Sequence, residues 1–177
     1  MKKWLFLFLY ALLFILAYYQ KTELLAWIEE AHDHLIPLML VISTVLALFP
    51  VIPFTLFAGV MGAKYGIFTG GVINWVGSVL ASIVMFYSFR YFLFNQYQRK
   101  EWGTFFLSRL FQKIENQPFL FVLLGRLTFF LPPPLINLYA ARVGMKFFIF
   151  SLATGLAEIP VIFAITYFGD QVFEQLF

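Results

Sequence analysis

The chain has 177 residues, 62% of them hydrophobic and only 12% charged, with 25 Phe, no Cys and a net charge of +3. That charge density is roughly half the usual share in soluble domains, so the composition excludes an ordinary soluble fold and describes an integral membrane protein of one domain. The lack of Cys excludes disulfides and thiolate metal sites, two His (His32 and His34) are too few for a metalloenzyme without carboxylate help, and the small basic excess reads as membrane topology rather than nucleic-acid binding.

The first element is "MKKWLFLFLYALLFILAYYQK". A basic pair before an apolar run also describes a signal peptide, but no small-x-small cleavage site follows, which predicts a retained membrane helix. Residues 21–36 are acidic and amphipathic, with Leu24, Leu25, Ile28 and Leu35 at helical spacing, and predict an interfacial segment that places His32 and His34 at a wet helix end.

Residues 37–49 are apolar yet about half as long as the ~20 residues that a crossing needs. They run into "FPVIPFTLFAGVMGAKYGIF" (49–68), which is apolar enough for a bilayer but is interrupted by Pro50, Pro53, Gly59, Gly62 and Gly66. Two half-length segments around a Pro turn predict a re-entrant helical hairpin over 37–64. Such backbone is tolerated at membrane depth only where protein or a water-filled cavity satisfies its freed polar groups. From Tyr65 to about Phe94 the chain is long enough for a full crossing.

Residues 95–118 are the most polar stretch, and 104–116 predict an interfacial amphipathic helix with Phe105, Phe106, Leu110 and Ile114 opposite Arg109 and Lys113. A second half-length run (119–131), a Pro132–Pro134 break and another short run predict a second hairpin over 119–146. Phe147–Phe168 then makes a second full crossing, and 171–177 form a C-terminal tail.

The break occurs twice. Shifting the sequence by 82 positions pairs Pro50 with Pro132, Leu56 with Leu138, Ala58 with Ala140, Gly62 with Gly144, Lys64 with Lys146, Ile67 with Ile149 and Phe68 with Phe150. Chance would give roughly two identities in such a window, so this is an internal repeat. Only one full span separates the hairpins, which therefore enter from opposite faces as an inverted repeat. With the N-terminus in the cytoplasm, Lys2, Lys3, Arg90, Arg99, Lys100, Arg109, Lys113, Arg142 and Lys146 lie inside against Glu101 and Glu115. Outside lie Lys21 and Lys64 against Glu23, Glu29, Glu30, Asp33, Asp170 and Glu174. That is a positive-inside distribution.

Two charges remain at membrane depth, Arg126 and Glu158. Inverted repeats with broken helices are a transporter architecture, with the site near the midplane and helix N-termini that favour an anion there. Arg126 suits a substrate phosphate, but a structural pair with Glu158 or snorkelling would also answer its cost, at least about 2.5–3.5 kcal/mol for a bare charge. Glu158 is a proton-coupling group or half of a static pair. Arg90 marks a cytoplasmic helix end, either as topology anchor or as part of the site. Asn137 and Thr55 follow the two breaks, where they cap freed backbone or touch substrate. Pro50, Pro53, Pro132 and Pro134, with Gly59, Gly62 and Gly144, are assigned to the breaks. No Ser–His pair, paired intramembrane Asp or Asp-rich Mg²⁺ cluster stands where catalysis would need one, so no enzyme activity, metal or cofactor is expected.

"FPVIPFTLFAGVMGAKYG", the F-x-x-x-R from Phe86 to Arg90 and "GRLTFFLPPPLINLYAARVGMKFFIF" together resemble the DedA family, also called the VTT-domain or SNARE-associated Golgi protein family. The resemblance spans about residues 37–170 and is nearest to the subgroup related to yeast Tvp-type Golgi proteins. It implies two opposed re-entrant hairpins plus spanning helices, and lipid translocation: undecaprenyl phosphate recycling in bacteria, phospholipid scrambling in eukaryotic relatives. Some bacterial members are thought to depend on the proton-motive force. The family's hairpin Arg falls on Arg126 and its F-x-x-x-R Arg on Arg90. The acidic residue that many members carry after the first Pro pair is replaced here by Pro53-Phe54-Thr55, and a second hairpin Arg is absent. Glu158 is not part of the family pattern and is a candidate to supply the missing carboxylate.

The expectation is an all-α polytopic membrane protein, N-terminus inside, in a bacterial cytoplasmic membrane. Its function would be to move a phosphate-bearing lipid such as undecaprenyl phosphate between leaflets, with proton coupling an open feature. Membrane lipids are the expected partners, nucleic acid is not, and a homo-oligomer stays open. The alternatives are a small-solute or ion transporter on the same scaffold and a non-transporting assembly protein.

Overall fold

The structure, a computed structural model, describes residues 35–49, 54–91, 117–128 and 131–176. The expected first helix, the interfacial segment with His32 and His34, the 104–116 helix, and Pro50 and Pro53 lie outside these residues. Among the described residues the chain is helical, without strands, in five elements: α1 (Ile36–Leu48), α2 (Phe54–Phe89), α3 (Pro118–Leu127), α4 (Pro133–Arg142) and α5 (Phe147–Leu176).

Helix lengths follow from where Pro and Gly fall. Pro37, Pro118, Pro133 and Pro134 stand in the first turn of their helices, where a missing N–H costs nothing and the fixed φ suits the helix. At 1.5 Å per residue, the 13 residues of α1 and the 10 each of α3 and α4 reach about 15–20 Å, well short of a ~30 Å hydrocarbon core. α2 and α5 are long and apolar enough to cross, α5 over Phe147–Phe168. α5 also continues through 171–176, the stretch expected as a separate tail.

α2 is two helical arms joined at Gly66, whose φ of 75° and ψ of 161° are open to glycine and strained for any other residue. The turn is sharp. A Cβ at Gly70 would stand 2.2 Å from the Met61 carbonyl oxygen, although nine residues of straight helix would separate those positions by about 13 Å. Gly144, at φ 67°, makes the corresponding turn between α4 and α5. The sequence repeat pairs Gly144 with Gly62, but Gly59 and Gly62 are buried inside the first arm of α2 and interrupt nothing. Identity aligned Gly62 because both glycines precede a Lys two residues on; the backbone reverses four residues later, where the first arm ends.

The chain forms two compact units, one combining the stretch up to Ser78 with Ile162 onward, the other Val79–Val161. In the first, Met39 and Leu46 of α1 pack on Phe57, Val60, Met61 and Ile73 of α2. In the second, Phe86, Val122, Ile136, Ala140, Met145, Phe150 and Ala153 form the core, and α3 lies against α4, with the Phe121 and Tyr139 rings 4.1 Å apart. Outward faces are apolar as well: Phe148, Leu152, Leu156 and Ile159 of α5 are all exposed. An apolar outside around a core that holds buried polar groups suits lipid as the solvent.

Candidate functional site

Among its described residues, the second unit buries one charged cluster. α3 carries Arg126 in its last turn, where a cation also suits the negative end of the helix dipole. Arg126 is 8% exposed and Glu158 of α5 is 5% exposed, and the two form an ion pair through Arg126 Nη1 and Glu158 Oε1. Arg126 Nη2 donates to Asn137 Oδ1 at 2.7 Å, and Asn137 Nδ2 donates to Met85 Sδ at 3.3 Å. Ser82 Oγ donates to the same Glu158 oxygen at 3.4 Å. Arg126 Nε is buried and has no acceptor among the described residues. Elements α2, α3, α4 and α5 thus each supply at least one member.

Aromatic rings back this cluster. The Arg126 guanidinium lies 6.0 Å from the centre of the Phe150 ring, which stacks on Phe86 at 4.5 Å and 14°. One turn further on, Arg90 lies 5.9 Å from the other end of this ladder at Phe86. The F-x-x-x-R spacing therefore has a physical reason, since i and i+4 share a helix face. Arg90 itself is exposed and stays out of the charged cluster, its Nη1 donating to the Met145 carbonyl at 3.3 Å beside the Gly144 turn.

Of the residues singled out by sequence, Arg126, Glu158 and Asn137 stand together. Arg90 stands at the Gly144 turn, and Thr55 is exposed in the first turn of α2. Pro132 precedes α4 and Pro134 is its second residue. One expectation needs correction. The α4 N-terminus was to offer free N–H groups to an anion, but Pro133 and Pro134 have none, and the Leu135 and Ile136 amides donate to the Pro132 carbonyl at 2.9 and 3.4 Å. Arg126, not the helix end, is the positive feature here. Ser82, Met85 and Phe150 escaped functional assignment: a single Ser, Met or Phe in an apolar helix carries no sequence signal for the face it occupies.

Among its described residues, the first unit buries polar groups without charge. Asn74 Nδ2 donates to Thr166 Oγ1 at 3.0 Å and to the Ala58 carbonyl at 3.4 Å. Ser43 is fully buried against Gly77, where a Cβ would come within 2.3 Å of its Oγ. Among the described residues no group of three or more His, Cys, Asp or Glu could hold a metal ion.

The VTT domain model matches residues 52–171, more than half of the chain. The chain belongs to the VTT-domain family. With two apolar helices long enough to span, it is a VTT-domain, or DedA-family, membrane protein. It is also similar to the uncharacterized protein YqeD of Bacillus subtilis (strain 168), at 31% identity over 122 residues that cover 68% of this chain and 58% of that relative. The match thus leaves more than a third of YqeD without a counterpart here. No solved structure matches. The family match begins beyond α1, which packs on α2 in the first unit.

Proposed function

We propose that this VTT-domain protein moves a phosphate-bearing lipid, a polyprenyl phosphate such as undecaprenyl phosphate, between the leaflets of a bacterial cytoplasmic membrane. The observation that carries the reading is the buried Arg126–Glu158–Asn137 cluster in a protein whose surroundings are lipid. A charge at that depth is expensive and is usually retained for function. The guanidinium has the fork geometry that suits phosphate oxygens.

In this reading α1 with the first arm of α2, and α3 with α4, are two re-entrant hairpins of opposite orientation, and the N-terminus is cytoplasmic. The pair as it stands is neutral, so a phosphate must compete with the Glu158 carboxylate for Nη1 or approach through Nε. Two anions on one guanidinium repel unless the carboxyl takes up a proton or turns away. Ser82 gives it a second anchor while it is ionised. Proton coupling through Glu158 follows from that competition. The residues do binding and exchange, not catalysis.

A second reading has its own support: both terminal nitrogens of Arg126 are already engaged, as expected of a lock in an assembly protein. The test is leaflet exchange of a fluorescent short-chain polyprenyl phosphate in proteoliposomes. Wild type is expected to exchange it and not the neutral polyprenol, and Arg126→Ala to lose that exchange. No exchange by folded wild type would favour a small-solute transporter; exchange indifferent to headgroup and Arg126 would mean a general scramblase.

A further inference from the structure

We propose that α5 carries a one-ended, water-accessible track from the Gly144 turn to the Glu158 carboxylate, admitting water and with it protons. Ser151, Thr154 and Glu158 follow the i, i+3, i+7 rule and share one face of the helix. Thr154 is fully buried, and neither its Oγ1 nor the buried Ser151 Oγ has a hydrogen-bond partner. Helix hydroxyls ordinarily back-bond to the carbonyl four residues earlier; here two in succession do not. A third orphan, Arg126 Nε, stands where their line reaches the ion pair. Orphaned polar atoms this close in sequence and on one face are what internal water satisfies, each water needing two to four such partners.

Exposure gives the track its direction. Beyond Glu158 the next residues on this face are Val161 and Ile162, both apolar, the first half-buried and the second buried. Toward the other end Ser151 is partly exposed, and Lys146, whose charge belongs at an aqueous face, is exposed beside the Gly144 turn. Water therefore reaches Glu158 from the Gly144 side and stops at the apolar side chains beyond it. This holds whatever cargo the protein moves, so its test is separate from lipid exchange.

The absence of Cys makes thiol labelling direct. Ser151→Cys, Thr154→Cys, Ala153→Cys and Leu156→Cys would be made singly in the full chain. A charged, membrane-impermeant methanethiosulfonate is then added to right-side-out and to inverted vesicles. Ala153 is buried in the apolar core and Leu156 faces outward. Thiols react as thiolates, which need water, so Ser151→Cys and Thr154→Cys should label about tenfold or more faster than the two controls, and from the same single side. Thr154→Cys labelling no faster than Ala153→Cys, or equally from both sides, would overturn the track. Should Thr154→Cys fail to accumulate, the near-isosteric Thr154→Val decides. Loss of a hydrated hydroxyl leaves Tm unchanged or lower, whereas a rise in Tm would mean a dry orphan and no track.

Discussion

The two units use similar parts for different ends. Each joins a short helix pair to a long helix through a glycine at positive φ, Gly66 in one and Gly144 in the other. The first unit is closed by close approach at two glycines, Gly70 on the Met61 backbone and Gly77 on the Ser43 side chain, with the neutral Asn74–Thr166 bond inside. The second is looser at its helix pair, where the nearest atom to a Cβ at Gly125 is 3.4 Å away, and it holds the ion pair. Under the sequence repeat Arg126 falls on Thr44, whose hydroxyl donates to the Leu40 carbonyl at 2.8 Å in its own helix, and Glu158 falls on Val76. Among the described residues, the first unit thus packs without a buried charge.

That contrast can be broken at several places. The largest effect is expected from Glu158→Ala, which strands the Arg126 charge and should cost about 3–5 kcal/mol, against about 1–3 kcal/mol for Asn74→Ala, where only neutral groups lose partners. Denaturant unfolding in detergent micelles measures both; equal losses would erase the distinction between the units. Next, Gly70→Ala should cost about 1–3 kcal/mol by overpacking, more than Gly125→Ala, because backbone rather than a side-chain tip stands in the way. Gly66→Ala and Gly144→Ala should each cost about 1–3 kcal/mol, since both positions have open space and only the positive-φ backbone is strained. A much larger loss at either would mean that the two turns are not equivalent. The smallest effect is expected for Arg90→Ala, about 0.5–1 kcal/mol for one exposed hydrogen bond, read in the same assay.

Much of the helical plan was legible because Pro and apolar run length act locally. The Pro132–Pro134 break, the two half-length helices around it and the Phe147–Phe168 span needed no tertiary information. The pairing of Arg126 with Glu158 was legible only as one of three readings of Arg126, beside a substrate phosphate and snorkelling. The place of the first reversal was not: Gly62 and Gly66 are both flanked by apolar residues, and only the packing of Gly70 on Met61 selects Gly66. Ser82 and Met85 were also illegible. Their facing depends on the rotation of the second arm of α2 about its axis, which an apolar run does not encode. The inferred anion site at the α4 N-terminus failed for a local reason, because the prolines that start the helix also remove its donors.

The most direct measurement is polyprenyl phosphate exchange by the double variant Arg126→Leu/Glu158→Leu, after its fold and melting temperature have been checked in detergent. Replacing both members of a buried pair with apolar side chains is often neutral or stabilising. If the cluster handles the phosphate, the folded double variant loses exchange as fully as Arg126→Ala does. Exchange at the wild-type rate by the folded double variant would contradict the proposal and leave the pair as a structural lock.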